Sequence, residues 1–193
     1  QNAMDDTDAG SNSLGSGDNI FIGKDSGGGT WADAASSYNV AIGNSTMDAA
    51  MNGANWNIAV GNAALGSLTE GDTNTAIGNN ALTSITTGGN NVAVGASALD
   101  AGTTVNNSVA IGVNAMGAVP SGQAVEYAVA VGTNALLGNG STTTGINGTT
   151  AVGFGAGYSL TTGGNNTFLG YNAGYTATTG GENTIVGRHA GNK

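Results

Sequence analysis

A glycine preceded by an aliphatic residue recurs ten times along the 193-residue chain, and its spacing limits what the chain can fold into. Five of the nine intervals between these anchor glycines are seventeen residues long, and the other four are 18 to 21 residues. Seventeen residues are too few for a helix, a strand and their connections. The period therefore predicts an all-β protein, a parallel β-solenoid (β-roll) of about ten 17-residue coils. The predicted turn residues are Gly23, Gly43, Gly61, Gly78, Gly95, Gly112, Gly132, Gly153, Gly170 and Gly187.

Each anchor glycine ends a short run of alternating residues that predicts a β-strand. The residue directly before the glycine is always aliphatic, and the residue three places before the glycine is Val, Ile or Thr. Stacked coils would align these side chains in columns, so we expect the aliphatic column to form the interior. This predicted core ladder consists of Ile22, Ile42, Val60, Ile77, Val94, Ile111, Val131, Val152, Leu169 and Val186.

The residue between the two branched positions is Ala in seven of the ten units. A second, small apolar face on the same strand needs a cover, because a coil this small can enclose only a thin interior. We therefore expect a homo-oligomer, a trimer about the rod axis, in which the alanine faces of neighbouring chains meet.

An asparagine recurs at the turn before the strand in seven units, where stacking would bring the side chains together. Stacked amides can bond to one another and to the turn backbone. We interpret this column as structural rather than as a ligand surface. Its members are Asn19, Asn39, Asn57, Asn74, Asn91, Asn166 and Asn183.

The charge and the composition exclude several partners. Twelve acidic residues against three basic ones give a net charge of −9, which repels nucleic acid and anionic membranes. The chain has no Cys. It also has no run of about 18 apolar residues, the length needed to cross a bilayer, so membrane insertion is not predicted. Residues 1–18 are interpreted as an acidic leader or N-terminal cap, and 19–193 as the repeat domain. Asp5, Asp6 and Asp8 are interpreted as solvated, so no metal site is predicted.

Catalytic residues are sparse in this chain. It contains one His, no Cys and no carboxylate pair at matching positions of adjacent units. His189 occupies a variable position two residues after an anchor glycine, where an exposed turn residue is expected. The chain is therefore predicted not to be an enzyme and to need no cofactor.

The longer units carry aromatic residues, and extra residues in a solenoid map to loops on an outer face. Trp31, Tyr38, Trp56 and Tyr127 are the candidate receptor-contact residues, because exposed rings are what a receptor or glycan would contact. The alternative is that these rings cap the rod end or fill gaps between subunits.

Several segments carry a family resemblance. "NNSVAIGVNAM" (106–116), "YAVAVGTNAL" (127–136) and "NVAVGASAL" (91–99) resemble the head repeats of trimeric autotransporter adhesins. "NNTFLGYNAGYTATTGGENT" (165–184) is similar to repeats in phage tail fibres. The resemblance implies a trimer of left-handed β-rolls, located outside the cell, at a cell surface or on a virion.

The functional hypothesis that follows is a non-enzymatic extracellular fibre or adhesin segment that presents a binding surface to a host receptor, a cell-surface receptor or a glycan. One alternative is a self-assembling structural filament subunit that stacks end to end. A second is an ice-binding solenoid, which would need a flat Thr array. The candidate threonines are Thr86, Thr87, Thr161, Thr162, Thr178 and Thr179.

Overall fold

The computed structural model describes residues 15–31, 34–120, 122–140 and 143–192, and these residues form ten short parallel strands and no helix. Each strand has three residues and precedes an anchor glycine. The strands are β1 (Ile20–Ile22), β2 (Val40–Ile42), β3 (Ile58–Val60), β4 (Thr75–Ile77), β5 (Val92–Val94), β6 (Val109–Ile111), β7 (Val129–Val131), β8 (Thr150–Val152), β9 (Thr167–Leu169) and β10 (Thr184–Val186).

The ten strands form a single sheet in sequence order, so each repeat unit is one turn of a solenoid, and we number the coils 1 to 10 after the strand that each contains. Equivalent residues pair in register, as Thr75 does with Val92 and Ile77 with Val94. The backbone bonds run between coils: Gly78 N donates to the Val60 carbonyl at 2.8 Å, and Thr75 N to the Asn91 carbonyl at 2.8 Å. The predicted β-solenoid of about ten coils is confirmed, whereas its handedness and trimeric state stay predictions.

The strands are oriented opposite to the sequence prediction. In nine strands the middle residue is buried, and the residues on either side of it are partly or fully exposed. The predicted core ladder is therefore wrong for the single chain, because the strand alternation turns it outward. The residues on the outer face are Ile22, Ile42, Val60, Ile77, Val94, Ile111, Val131, Val152, Leu169 and Val186.

The interior is filled from both sides of each coil. Ala93 of β5 is fully buried, and it faces a turn in which Ala98 and Leu99 are also fully buried. In coils 2–7 the fourth residue after the anchor glycine is Leu or Met, and it is one of the large buried side chains of the coil. A second large residue is buried a few places later in several coils, as Leu68 is in coil 3 and Ile85 in coil 4. These side chains fill the thin interior, so the strand residue opposite must be small.

The first and ninth coils reverse this arrangement. Phe168 replaces the strand alanine of coil 9, and Gly174 replaces the leucine opposite. A Cβ on Gly174 would lie 2.5 Å from the Phe168 ring, so the glycine makes space for the phenyl group. Phe21 and Gly27 repeat the exchange in coil 1, where a Cβ on Gly27 would lie 2.8 Å from the nearest ring atom of Phe21. In these two coils a large strand residue is thus compensated by a glycine across the coil.

The anchor glycines turn the chain after every strand. Gly78 has φ +138°, and a Cβ there would lie 2.5 Å from the Gly95 carbonyl oxygen of the next coil. Any side chain at this position would therefore block the stacking of coils. All ten anchor glycines have φ between +126° and +138°.

The asparagine column is hydrogen-bonded, and five of its seven members are buried, which supports its structural interpretation. Asn57 Nδ2 donates to Asn39 Oδ1 at 3.1 Å, and Asn74 Nδ2 donates to Asn57 Oδ1 at 3.1 Å. Asn74 Nδ2 also donates to the Gly88 carbonyl at 2.9 Å. The amides of Asn39, Asn57, Asn74 and Asn91 therefore each satisfy a turn carbonyl and bond to the preceding coil.

The N-terminal segment is described only in part. Asp5, Asp6 and Asp8 lie outside the described residues. Gly17 and Asp18 belong to the first coil, because Tyr38 N donates to the Gly17 carbonyl at 3.1 Å.

Candidate functional site

Titratable side chains are few in the part of the chain that the structure describes. No three His, Asp or Glu side chains there come together as a metal site, and no helix there could cross a membrane. His189 is an exposed turn residue, as expected, and its ring meets the edge of Tyr171 at a centroid distance of 5.3 Å.

Two carboxyl groups lie in less polar surroundings than the others. Burial raises the pKa of Asp48, the nearby Asp25 raises it further, and Lys24 opposes both effects. Burial also raises the pKa of Asp100, against hydrogen bonds from Ser97 and from its own backbone. They lie in coils 2 and 5, so they cannot act as an acid–base pair.

The largest unusual surface is the outer face of the sheet, which we call the outer stripe. It consists of the first and third residue of each strand, β1 to β10. Sixteen of these twenty residues are Val, Ile or Leu, and the other four are Thr. Ile22 is 56% exposed and Ile77 is 42% exposed. Nine strand spacings make the stripe about 43 Å long, without a charged side chain.

All-parallel sheets in soluble proteins almost always have both faces covered. In this solenoid the alanine face is covered by the opposite wall of each coil, while the outer stripe has no cover within the described chain. Large exposed apolar surfaces are typical of sites that contact other molecules.

Trp31 is not an exposed contact residue, which corrects the sequence prediction. Its side chain is only 3% exposed, and its ring packs edge-on against Phe21 at a centroid distance of 5.7 Å. Trp31 Nε1 donates to the Gly27 carbonyl at 3.2 Å. The ring fills the interior of the first coil rather than a gap between subunits.

Tyr38, Trp56 and Tyr127 occupy equivalent corners of different coils, and we call them the corner aromatics. All three are exposed and have φ between +56° and +62°. The Tyr38 and Trp56 rings stack at 5.9 Å between centroids, so each presents mainly its edge and one face. Tyr127 is 64% exposed, and no ring of the described chain stacks on it.

A further aromatic group, which the sequence prediction missed, lies on coils 8–10. We call it the aromatic patch, and it consists of Phe154, Tyr158, Tyr171, Tyr175, Arg188 and His189. A sequence signal did exist, because aromatic residues follow the anchor glycine at the same two offsets in consecutive units. The sequence prediction considered the aromatic residues of the longer units, whereas these rings lie in units of seventeen residues.

The threonines of the ice-binding hypothesis contribute to the turns. Thr86 Oγ1 donates to the Thr103 carbonyl at 3.2 Å, and Thr161 Oγ1 donates to the Thr178 carbonyl at 2.8 Å. These hydroxyls link one coil to the next, so a turn role accounts for them.

Comparisons with known proteins do not assign the chain to a family. No protein-family model matches it, and no curated protein or solved structure shows significant similarity to it.

Proposed function

We propose that this chain is a non-enzymatic segment of an extracellular fibre or adhesin, in which copies associate through the outer stripe. The uncovered apolar face of the all-parallel sheet is the observation that carries this proposal. The sequence predicted that neighbouring chains meet at their alanine faces. These faces lie in the interior of each chain, so we assign the contact between chains to the outer stripe. The expected assembly is a closed homotrimer about the long axis, at a cell surface or on a virion.

The stripe suits lateral association along the whole rod. Its two columns run through all ten strands, so neighbouring chains can align side by side without burying a charge. The corner aromatics stay candidates for receptor contact in such an assembly, apart from the interior Trp31.

The test is sedimentation of the wild-type chain and two lysine variants of the same coil. The wild type is expected to sediment at three times the 18.5 kDa chain mass. Ile77→Lys places a charge in the stripe, so this variant is expected to sediment as a monomer. Thr87→Lys adds the same charge at an exposed turn residue and should remain a trimer.

The alternative assembly is a filament subunit that stacks end to end. A filament would show a mass that grows with protein concentration and would be insensitive to Ile77→Lys. A wild-type chain that stays monomeric at every concentration would contradict both forms of the proposal.

A further inference from the structure

Charge is distributed unevenly along the solenoid. Residues 1–126 contain eleven of the twelve acidic residues and one base, Lys24. Residues 127–193 contain one acidic residue, Glu182, and two bases, Arg188 and Lys193. The Debye length at physiological salt is about 8 Å, so acidic groups several coils away are screened from coils 8–10. An anionic ligand therefore meets much less repulsion there than elsewhere on the rod.

The aromatic patch lies in this weakly charged region. Phe154 and Tyr171 stack with centroids 5.2 Å apart, and their side chains are 44% and 46% exposed. Tyr158 and Tyr175 form a second stack with centroids 4.6 Å apart. The rings are therefore held rigidly by their neighbours along the rod while their outer edges contact solvent.

Gly155 brings the two stacks together. A Cβ at this position would lie 3.1 and 3.2 Å from two carbons of the Tyr175 ring, so that ring lies over the glycine. Phe154 is the preceding residue, which makes the stacks neighbours on the surface. Four rings and three phenol hydroxyls thus lie on the same turns of coils 8 and 9.

Arg188 and His189 complete the patch on coil 10. The Arg188 guanidinium lies 5.7 Å from the Tyr171 ring centroid, and the His189 ring meets the same tyrosine edge-on. Among the described residues the one ion pair is Lys24 with Asp25, so Arg188 has no carboxylate partner there. Its planar N–H groups can bind a carboxylate or sulfate through two bonds.

We propose that the aromatic patch binds an acidic glycan, a chain of sugar rings that carry carboxylate or sulfate groups. The rings provide apolar surface for sugar C–H groups, the tyrosine hydroxyls provide hydrogen bonds, and Arg188 provides the anion contact. This inference rests on the proposed adhesin function and names its ligand class.

Calorimetric titration of the full chain at physiological salt tests the ligand class. The probes are a heparin octasaccharide with sulfates, a hyaluronan octasaccharide with carboxylates, neutral dextran, and poly-glutamate as an anion without sugar. We expect at least one acidic sugar to bind at least tenfold more tightly than dextran and poly-glutamate. Heparin carries sulfates as well as carboxylates, whereas hyaluronan carries carboxylates alone, so binding of heparin without binding of hyaluronan would indicate that a sulfate is required. Equal binding of poly-glutamate, equal binding of dextran, or no binding of either acidic sugar would overturn the proposal.

Three variants test the location. Arg188→Gln and Tyr171→Leu are each expected to weaken binding of the acidic sugar about tenfold, which corresponds to about 1.4 kcal/mol. Lys24→Gln is the matched control, because Lys24 occupies the same repeat position in coil 1, and it should bind like the wild type. An equal loss in Lys24→Gln would indicate diffuse charge binding and refute the patch. Sedimentation of the same samples reports association separately, so failure here is distinguishable from failure of the proposed rod.

Discussion

At the scale of single residues, the solenoid imposes a left-handed backbone conformation at fixed places. One such place lies two residues before the start of each strand. Most coils have a polar residue at this position. Asn90, Asn107 and Asn165 suit this conformation, since asparagine tolerates positive φ better than most residues. Thr73 has φ +59° at the equivalent position, where a β-branched side chain is strained.

Thr73→Asn is expected to stabilise the fold by about 1 kcal/mol, because asparagine relieves part of the cost of positive φ. Thr73 is exposed, and its backbone N–H bond to the Asn55 carbonyl is retained in the variant. The midpoint of thermal unfolding, followed by circular dichroism, should rise by about 2–4 °C. Asn90→Thr should lower it by a similar amount.

Thr87→Asn is the control for this substitution. It makes the same chemical change at an exposed residue of the same turn region that does not have positive φ. Its midpoint should equal that of the wild type. If Thr87→Asn and Thr73→Asn raise the midpoint equally, backbone strain at Thr73 is not the cause.

At the scale of the strand and the coil, the sequence predicted the position of every strand but not its orientation. Period and alternation locate β1 to β10, because the repeat places an aliphatic residue before each anchor glycine. Alternation alone does not tell which face points inward. The deciding information lies across the coil, where Leu or Met faces the strand alanine and Gly faces Phe168. This compensation in size links residues that are separated in sequence.

Of the four aromatic residues that the sequence predicted to be exposed, three are exposed and one is buried. Trp31 was expected outside, but its position next to a Gly-rich turn and opposite Phe21 gives it an apolar interior site. Tyr38, Trp56 and Tyr127 are exposed as expected, because a corner position directs the side chain away from the coil. The ring stacks of coils 8 and 9 could have been predicted, because their residues follow the anchor glycine at the same two offsets in consecutive units.

The size compensation between Phe168 and Gly174 predicts that Gly174→Leu changes from destabilising to stabilising when Phe168 is replaced by alanine. Gly174→Leu alone should destabilise the protein, because a Cβ there would lie 2.5 Å from the Phe168 ring. Phe168→Ala alone should cost about 3–5 kcal/mol through lost burial and a cavity. In the Phe168→Ala background, Gly174→Leu should instead be stabilising, since it recreates the Ala and Leu arrangement of coils 3–5 and 7.

Thermal unfolding of the wild type, both single variants and the double variant forms the complete cycle. The coupling between the two sites should be about 0.5–3 kcal/mol and favourable. Gly174 has φ +62°, and Leu82 adopts φ +53° at the equivalent position, so the backbone itself accepts leucine. A destabilising effect of Gly174→Leu in both backgrounds would show that the interior does not conserve volume in this way.

At the scale of the whole molecule, each strand contacts only the strands before and after it. A stack of this kind gains stability from neighbouring coils but has no contacts that join distant coils. Association through the outer stripe would supply them, because a neighbouring chain would touch all ten strands at once. Stability and assembly should therefore be coupled.

This coupling predicts that the wild-type unfolding temperature rises with protein concentration, because association stabilises the folded chain by mass action. Ile77→Lys should unfold at a lower temperature that does not depend on concentration. Thr87→Lys should behave like the wild type, since its added charge lies away from the stripe. Calorimetric scans over a hundredfold range of concentration measure the effect. A wild-type unfolding temperature that stays constant over this range would mean that the stripe remains uncovered in solution, and that the stacked coils alone stabilise the fold.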